Sequence, residues 1–153
     1  MQKKGIKKTL GVKGKKSNTR KNNRSLPKNK KSHIVYIFLE MLNMIKLYHW
    51  KTHSYAQHKA TDELYSKLND HIDTFVEVLL GKDQSRIHMV ETRIDLLDVR
   101  TTKELKERIF EYRQFLTEMN MFFDSSRDSD LLNIRDEILG DLNQFLYLLT
   151  FDK

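Results

Sequence analysis

From Ile34 to Leu149 the apolar residues recur three and four positions apart, the period of a helix with one buried face. The pattern breaks at length only once, between Gly81 and Arg100. The spacing predicts four helices. The first runs from about Ser32 to Lys51 and carries Ile34, Ile37, Phe38, Met41, Ile45 and Tyr48. The second opens on Ser54-Tyr-Ala-Gln57, a capping-box pattern, and has a C-terminal stop at Gly81. Its core face holds Ala60, Leu64, Leu68, Ile72, Phe75 and Leu79. The third opens on Thr101-Thr-Lys-Glu104, again a capping box, with Leu105, Ile109, Tyr112, Leu116, Met119 and Phe123 inward. The fourth runs from about Asp130 to Thr150, with Leu131, Ile134, Ile138, Leu142, Phe145 and Leu149 inward. The turn-rich loop from Asp124 to Asp130 precedes it and supplies an N-cap.

Short links join helices one and two, and three and four, so each pair is antiparallel. The roughly 20 residues from Gly81 to Arg100 leave room for a crossover along the bundle. The expected fold is therefore all-α, a four-helix bundle with one long connection between helices two and three, which is the ferritin-like variant.

Charge divides the chain differently from the helices. Residues 1–32 hold 13 Lys and Arg, no Asp or Glu, and the single proline, Pro27. Residues 33–153 hold 15 Lys and Arg against 21 Asp and Glu. The net +7 is thus a strongly basic arm on an acidic body. The arm cannot bury a core and is expected to be disordered alone, with the bundle occupying 33–153. Its cations are Lys3, Lys4, Lys7, Lys8, Lys13, Lys15, Lys16, Arg20, Lys21, Arg24, Lys28, Lys30 and Lys31. Without an aromatic to stack on bases, they make a phosphate-driven, sequence-independent and salt-sensitive ligand for DNA. RNA, an anionic membrane surface and a nuclear-import receptor are the other polyanion-type partners such an arm fits. The absence of cysteine excludes disulfides and thiolate ligands. The longest apolar run, Ile34 to Tyr48, contains Glu40, Asn43 and Lys46 and is too short to span a membrane. The N-terminus lacks the apolar region of a secretory signal. These features fit a cytoplasmic, nucleic-acid-associated protein, with nucleus or virion as alternatives.

Five residues in the first half stand out: His49, His58, Asp62, Asp73 and Glu77. His58/Asp62 and Asp73/Glu77 are i,i+4 pairs. His58 and Glu77 are centred on position 67.5, and so are Asp62 and Asp73. On one helix the two pairs face the same way within roughly 20° but lie about 16 Å apart. One ion reaches only about 2.0–2.5 Å to its ligands and cannot bridge them. A second helix, antiparallel and crossing near Lys67 and Leu68, would set His58 against Glu77 and Asp62 against Asp73, giving two equivalent sites about a two-fold axis. Imidazole with carboxylate suits iron, manganese or zinc. The same residues also read as a solvated helix face, and His49 as a buried, satisfied histidine.

His49-Trp50, then His58-x3-Asp62, then Asp70-His-Ile-Asp73-Thr-Phe-Val-Glu77 resembles the signature of the Dps family of mini-ferritins. Ile138 to Leu149 is similar to that family's closing helix, so the likeness covers roughly residues 33–80 and 128–150. The resemblance implies that His49, His58 and Asp62 come from one subunit and Asp73 and Glu77 from its two-fold partner. Trp50 matches the aromatic beside the site, where it would quench one-electron oxidants. It further implies Fe(II) binding and oxidation, preferentially with peroxide, iron storage in a hollow dodecamer, and DNA binding through a Lys-rich tail. The chain departs from the family in a loop after His49 about three residues shorter than usual, without the glycine that follows His-Trp. The alternative is a ferritin-like protein that compacts nucleic acid or serves structurally and no longer oxidises iron. Asp124, Asp128 and Asp130 read either as an acidic inlet for cations or as a plain N-capping loop.

Overall fold

The computed structural model describes residues 26–151. Among these lie four helices and no strand: α1 (Lys28–Lys51), α2 (Tyr55–Gly81), α3 (Thr102–Glu118) and α4 (Ser129–Leu148). A single 3-10 turn, Met119–Met121, prolongs α3. The expected core positions are buried, apart from Ile37, Ala60 and Ile134, which are half-buried at the edges of their stripes. Phe38 and Phe75 meet edge to face at 5.3 Å in the centre.

Helix α2 packs against α1 and α4, and α4 against α3. Across the fourth side, Phe38 meets Phe115 at 6.4 Å and the Tyr112 hydroxyl donates to Glu40 Oε1 at 3.0 Å. Burial pushes the Tyr112 phenol well above its ordinary range, so it stays a donor. The 82–101 connection carries no helix. It lies along α1, with Asp83 and Ser85 at Lys31, Glu91 at Ser32 and Asp98 at Lys51. Its two ends therefore meet the two ends of a helix about 36 Å long.

The local signals resolve unequally. Thr101 and Glu104 form the full reciprocal capping box. Ser54 caps α2 by accepting from Gln57 N at 3.2 Å, but the Gln57 side chain does not return to the cap. Its Oε1 accepts from the Tyr48 hydroxyl at 2.6 Å and its Nε2 donates to Thr102 Oγ1 at 3.1 Å, joining the ends of three helices. Gly81 is the last residue of α2 rather than a left-handed stop. The positive φ falls on Gln84, at 55°.

The boundary of the arm needs correction. Helix α1 starts at Lys28, directly after Pro27, not near Ser32. Lys28 to Lys31 carry no apolar residue, so hydrophobic periodicity could not mark this turn. Ser32 is fully buried, and Lys31 is 6% exposed. Ser32 pairs with Glu91 and accepts from Val90 N at 2.7 Å. Lys31 pairs with Asp83 and donates to Ser85 Oγ at 2.9 Å. Lys31 is therefore a structural residue and is withdrawn from the polyanion-binding set. The cations from Lys3 to Arg24, and the expectation that they are unstructured, lie outside the described residues.

The hydrogen bond from Lys31, followed by that from Ser85, holds the Asp83 carboxyl below the usual carboxylate range. A depressed folded value stabilises at pH above the unfolded titration, near about 3.9, and the benefit is lost as pH falls through the folded value. Asp83→Asn is expected to cost about 2 kcal/mol near neutrality. Thermal melts should show that deficit shrinking as pH falls below the usual carboxylate range and through the lowered native value, where the native carboxyl also protonates. A pH-independent deficit would assign the loss to packing instead.

Candidate metal centre at the α1–α2 turn

Thr52–Ser54 is all that separates α1 from α2, so the last turn of one helix lies beside the first turns of the other. This brings His49, His58 and Asp62 to one face. His49 is buried, His58 half-buried and Asp62 exposed. The two imidazole rings stack at 3.8 Å with 21° between their planes. Each ring is fixed by the other residue's backbone: His49 Nδ1 lies 2.9 Å from the His58 carbonyl oxygen, and His58 Nδ1 lies 3.0 Å from the His49 carbonyl oxygen. A carbonyl only accepts, so both Nδ1 atoms carry the proton. In the neutral rings both Nε2 atoms are then left with a lone pair. Fixing the second nitrogen on a carbonyl is the arrangement found behind metal-bound histidines.

Two further residues shape this corner and were missed in the sequence. Thr61 is fully buried, and its Oγ1 lies 3.1 Å from His49 Nδ1 while donating to the Gln57 carbonyl at 2.8 Å. Lys46 sits with Nζ 3.9 Å from Asp62 Oδ1 and 4.4 Å from the centre of the Tyr65 ring. Lys46 stands one turn before His49 on α1, so helical spacing alone could have placed it here. Thr61 offered no such signal, because a hydroxyl three residues after His58 is also an ordinary helix-surface residue.

Asp62 Oδ1 stands 4.0 Å from His49 Nε2. Asp73 and Glu77 lie further along α2, both exposed and neither in an ion pair among the described residues. Among the described residues of one protomer, no three His, Asp or Glu side chains converge closely enough to hold an ion. The structure thus brings together the first three of the five candidates and leaves the other two apart on the same helix. Trp50 is 68% exposed, its ring centre 6.0 Å from Lys46 Nζ, and Leu39 on the same helix is 38% exposed.

The other acidic cluster is not an inlet within the protomer. Asp124 Oδ1 accepts from Ser126 N and Arg127 N, each at 2.9 Å, and Asp128 Oδ2 accepts from Asp124 N at 2.9 Å. Lys82 pairs with Asp128 at 3.2 Å and Asp130 at 3.0 Å. Within one protomer these carboxylates hold the loop and one ammonium group, as a structural loop would. Asp128 stands at the N-cap of α4, yet its side chain holds the loop rather than the helix end.

The profile of a family of unknown function, DUF5856, matches residues 49–149, about two thirds of the chain. The chain belongs to that family. The DUF5856 match begins at His49 and includes all five candidate ligands, while the basic arm lies outside it. No curated protein and no solved structure matches the chain. No helix among the described residues is long and apolar enough to cross a membrane.

Proposed function

We propose that this protein is a ferritin-like bundle that binds and oxidises ferrous iron at sites shared between two protomers, and that it holds DNA through its basic arm. The observation that carries the metal half of this reading is the reciprocal fixing of His49 and His58, with Nδ1 of each ring on a backbone carbonyl. Two imidazoles committed to one tautomer, beside a carboxylate, form half of a nitrogen–oxygen donor set. The numbering symmetry supplies the other half as Asp73 and Glu77 of a second copy.

In this reading iron is the substrate. His49 and His58 supply neutral nitrogen donors, and Asp62, Asp73 and Glu77 supply anionic oxygen, which favours the harder ferric ion. Two ferrous ions each give one electron to peroxide. The O–O bond breaks, two protons are taken up, and two waters leave. Trp50, exposed beside the corner, is the residue placed to absorb a stray one-electron oxidant. The minimum assembly is the two-fold dimer. The arm supplies phosphate contacts through residues 3–24, together with Lys28 and Lys30 at the start of α1.

One observation favours a second reading. Lys46 places its ammonium group 3.9 Å from Asp62 Oδ1, where it neutralises the carboxylate without a metal. The protein would then be a helical bundle that binds nucleic acid and handles no iron. An anaerobic ferrous titration followed by peroxide separates the two. Saturable binding with a stoichiometry fixed per protomer, followed by ferric absorbance on peroxide addition, is expected for the first. Binding no greater than that of the same chain carrying His49→Ala, His58→Ala and Asp62→Ala would establish the second.

A further inference from the structure

A cavity of about 750 Å³ opens where α1 and α4 begin and α2 ends, at the far end of α1 from His49. Small-molecule sites commonly measure about 300–1,000 Å³. The floor is apolar, made by Leu79, Phe123 and Leu131, all buried core residues. Leu26, Met121 and Phe122 form an apolar lip, and Met121 is 75% exposed there.

The charges around the mouth do not cancel. Asp83 is paired with Lys31, and Asp128 with Lys82. Asp124 accepts from two backbone N–H groups, and its charge faces Arg127 at longer range. Lys30 and Arg127 remain, both exposed, with no carboxylate at ion-pairing distance among the described residues. The adjoining residues 1–25 contain no Asp or Glu to neutralise them. Lys30 Nζ lies 5.4 Å from the centre of the Phe122 ring, so this cation is held at the lip. An apolar floor offers nothing to a polar solute, and a rim with one unpaired cation, Lys30, and a second, Arg127, balanced only at longer range by Asp124, favours a negative head group.

We propose that this cavity binds an amphipathic anion, with its apolar body on Leu79, Phe123 and Leu131 and its carboxylate, sulfonate or phosphate head at Lys30 and Arg127. The site uses none of the candidate metal ligands and stands whether or not iron is bound.

Titration of the full chain with 8-anilinonaphthalene-1-sulfonate, followed by competition with decanoate and with decanol, tests this directly. One saturable dye site per protomer is expected, displaced by decanoate at concentrations about 10-fold lower than by decanol, as loss of a charge-assisted contact implies. Lys30→Glu with Arg127→Glu should weaken dye binding by at least about 10-fold and leave the melting temperature unchanged. The ten cations of residues 1–25 are intact in that variant, so the loss would report the cavity and not the arm. Unchanged binding in the double variant, equal competition by decanol, or no saturable site would each overturn the proposal. Matched tests with decyl phosphate separate a phosphate-preferring from a carboxylate-preferring head site, and displacement by either supports an anion site.

Discussion

Asp73→Asn combined with Glu77→Gln is expected to abolish saturable ferrous binding and peroxide-driven oxidation while leaving the bundle folded. Both carboxylates are exposed and unpaired among the described residues, and both replacements keep the side-chain shape. Surface changes of this kind shift stability by less than about 0.5 kcal/mol. Ferrous affinity should fall much further. Loss of an outer-shell partner alone typically costs about 10–100-fold in metal affinity, so loss of two direct anionic donors should exceed about 100-fold. The titration and a thermal melt on the same preparation check both halves. Wild-type oxidation rates in the double variant would exclude these residues from the site. A collapse in melting temperature would assign them a structural role that their exposure does not suggest.

Removing residues 1–25 is expected to abolish retardation of DNA in gels while leaving ferrous binding intact. The segment carries ten Lys and Arg and no acid, whereas residues 33–153 are net negative and repel phosphate. If six to ten of those cations meet phosphates, affinity should drop by about 10³–10⁵ between 50 and 200 mM salt. The position of the cut matters. Truncation after residue 32 also deletes Lys31 and Ser32, which hold the 82–101 connection against α1. That longer deletion should lower the melting temperature, and DNA loss in it would be uninterpretable. Retardation by the shorter deletion, at a strength like that of the full chain, would move the nucleic-acid surface onto the bundle.

The contrast between those two truncations shows what the sequence made legible. Phe38, Leu68, Ile109 and Leu142 could be placed in the core because a stripe at helical period has one consistent inside. The first turn of α1 could not, because Lys28, Asn29, Lys30 and Lys31 look like tail, and the contacts that bury Lys31 come from Asp83 and Ser85, more than fifty residues away. Gln57 shows the same limit. Its spacing from Ser54 reads as a capping box, yet the hydroxyls of Tyr48 and Thr102 win its side chain. At the candidate centre, spacing put His58 and Asp62 on one helix face, and His49 joined them only through the family resemblance. Spacing could not reveal that each imidazole is locked by the other residue's carbonyl, nor that Lys46 reaches Asp62, because both depend on the angle of a three-residue turn.

Complementation between two inactive variants tests the shared site most directly. One variant carries His58→Ala and Asp62→Asn, the other Asp73→Asn and Glu77→Gln. Each alone should lack saturable ferrous binding. Unfolded together and refolded as a mixture, they should form mixed dimers in which one site receives all its donors and the other only His49. Random pairing then restores about a quarter of the wild-type sites, as an isologous two-fold interface requires. No recovery, from a mixture shown to contain folded mixed dimers, would contradict a centre built between protomers.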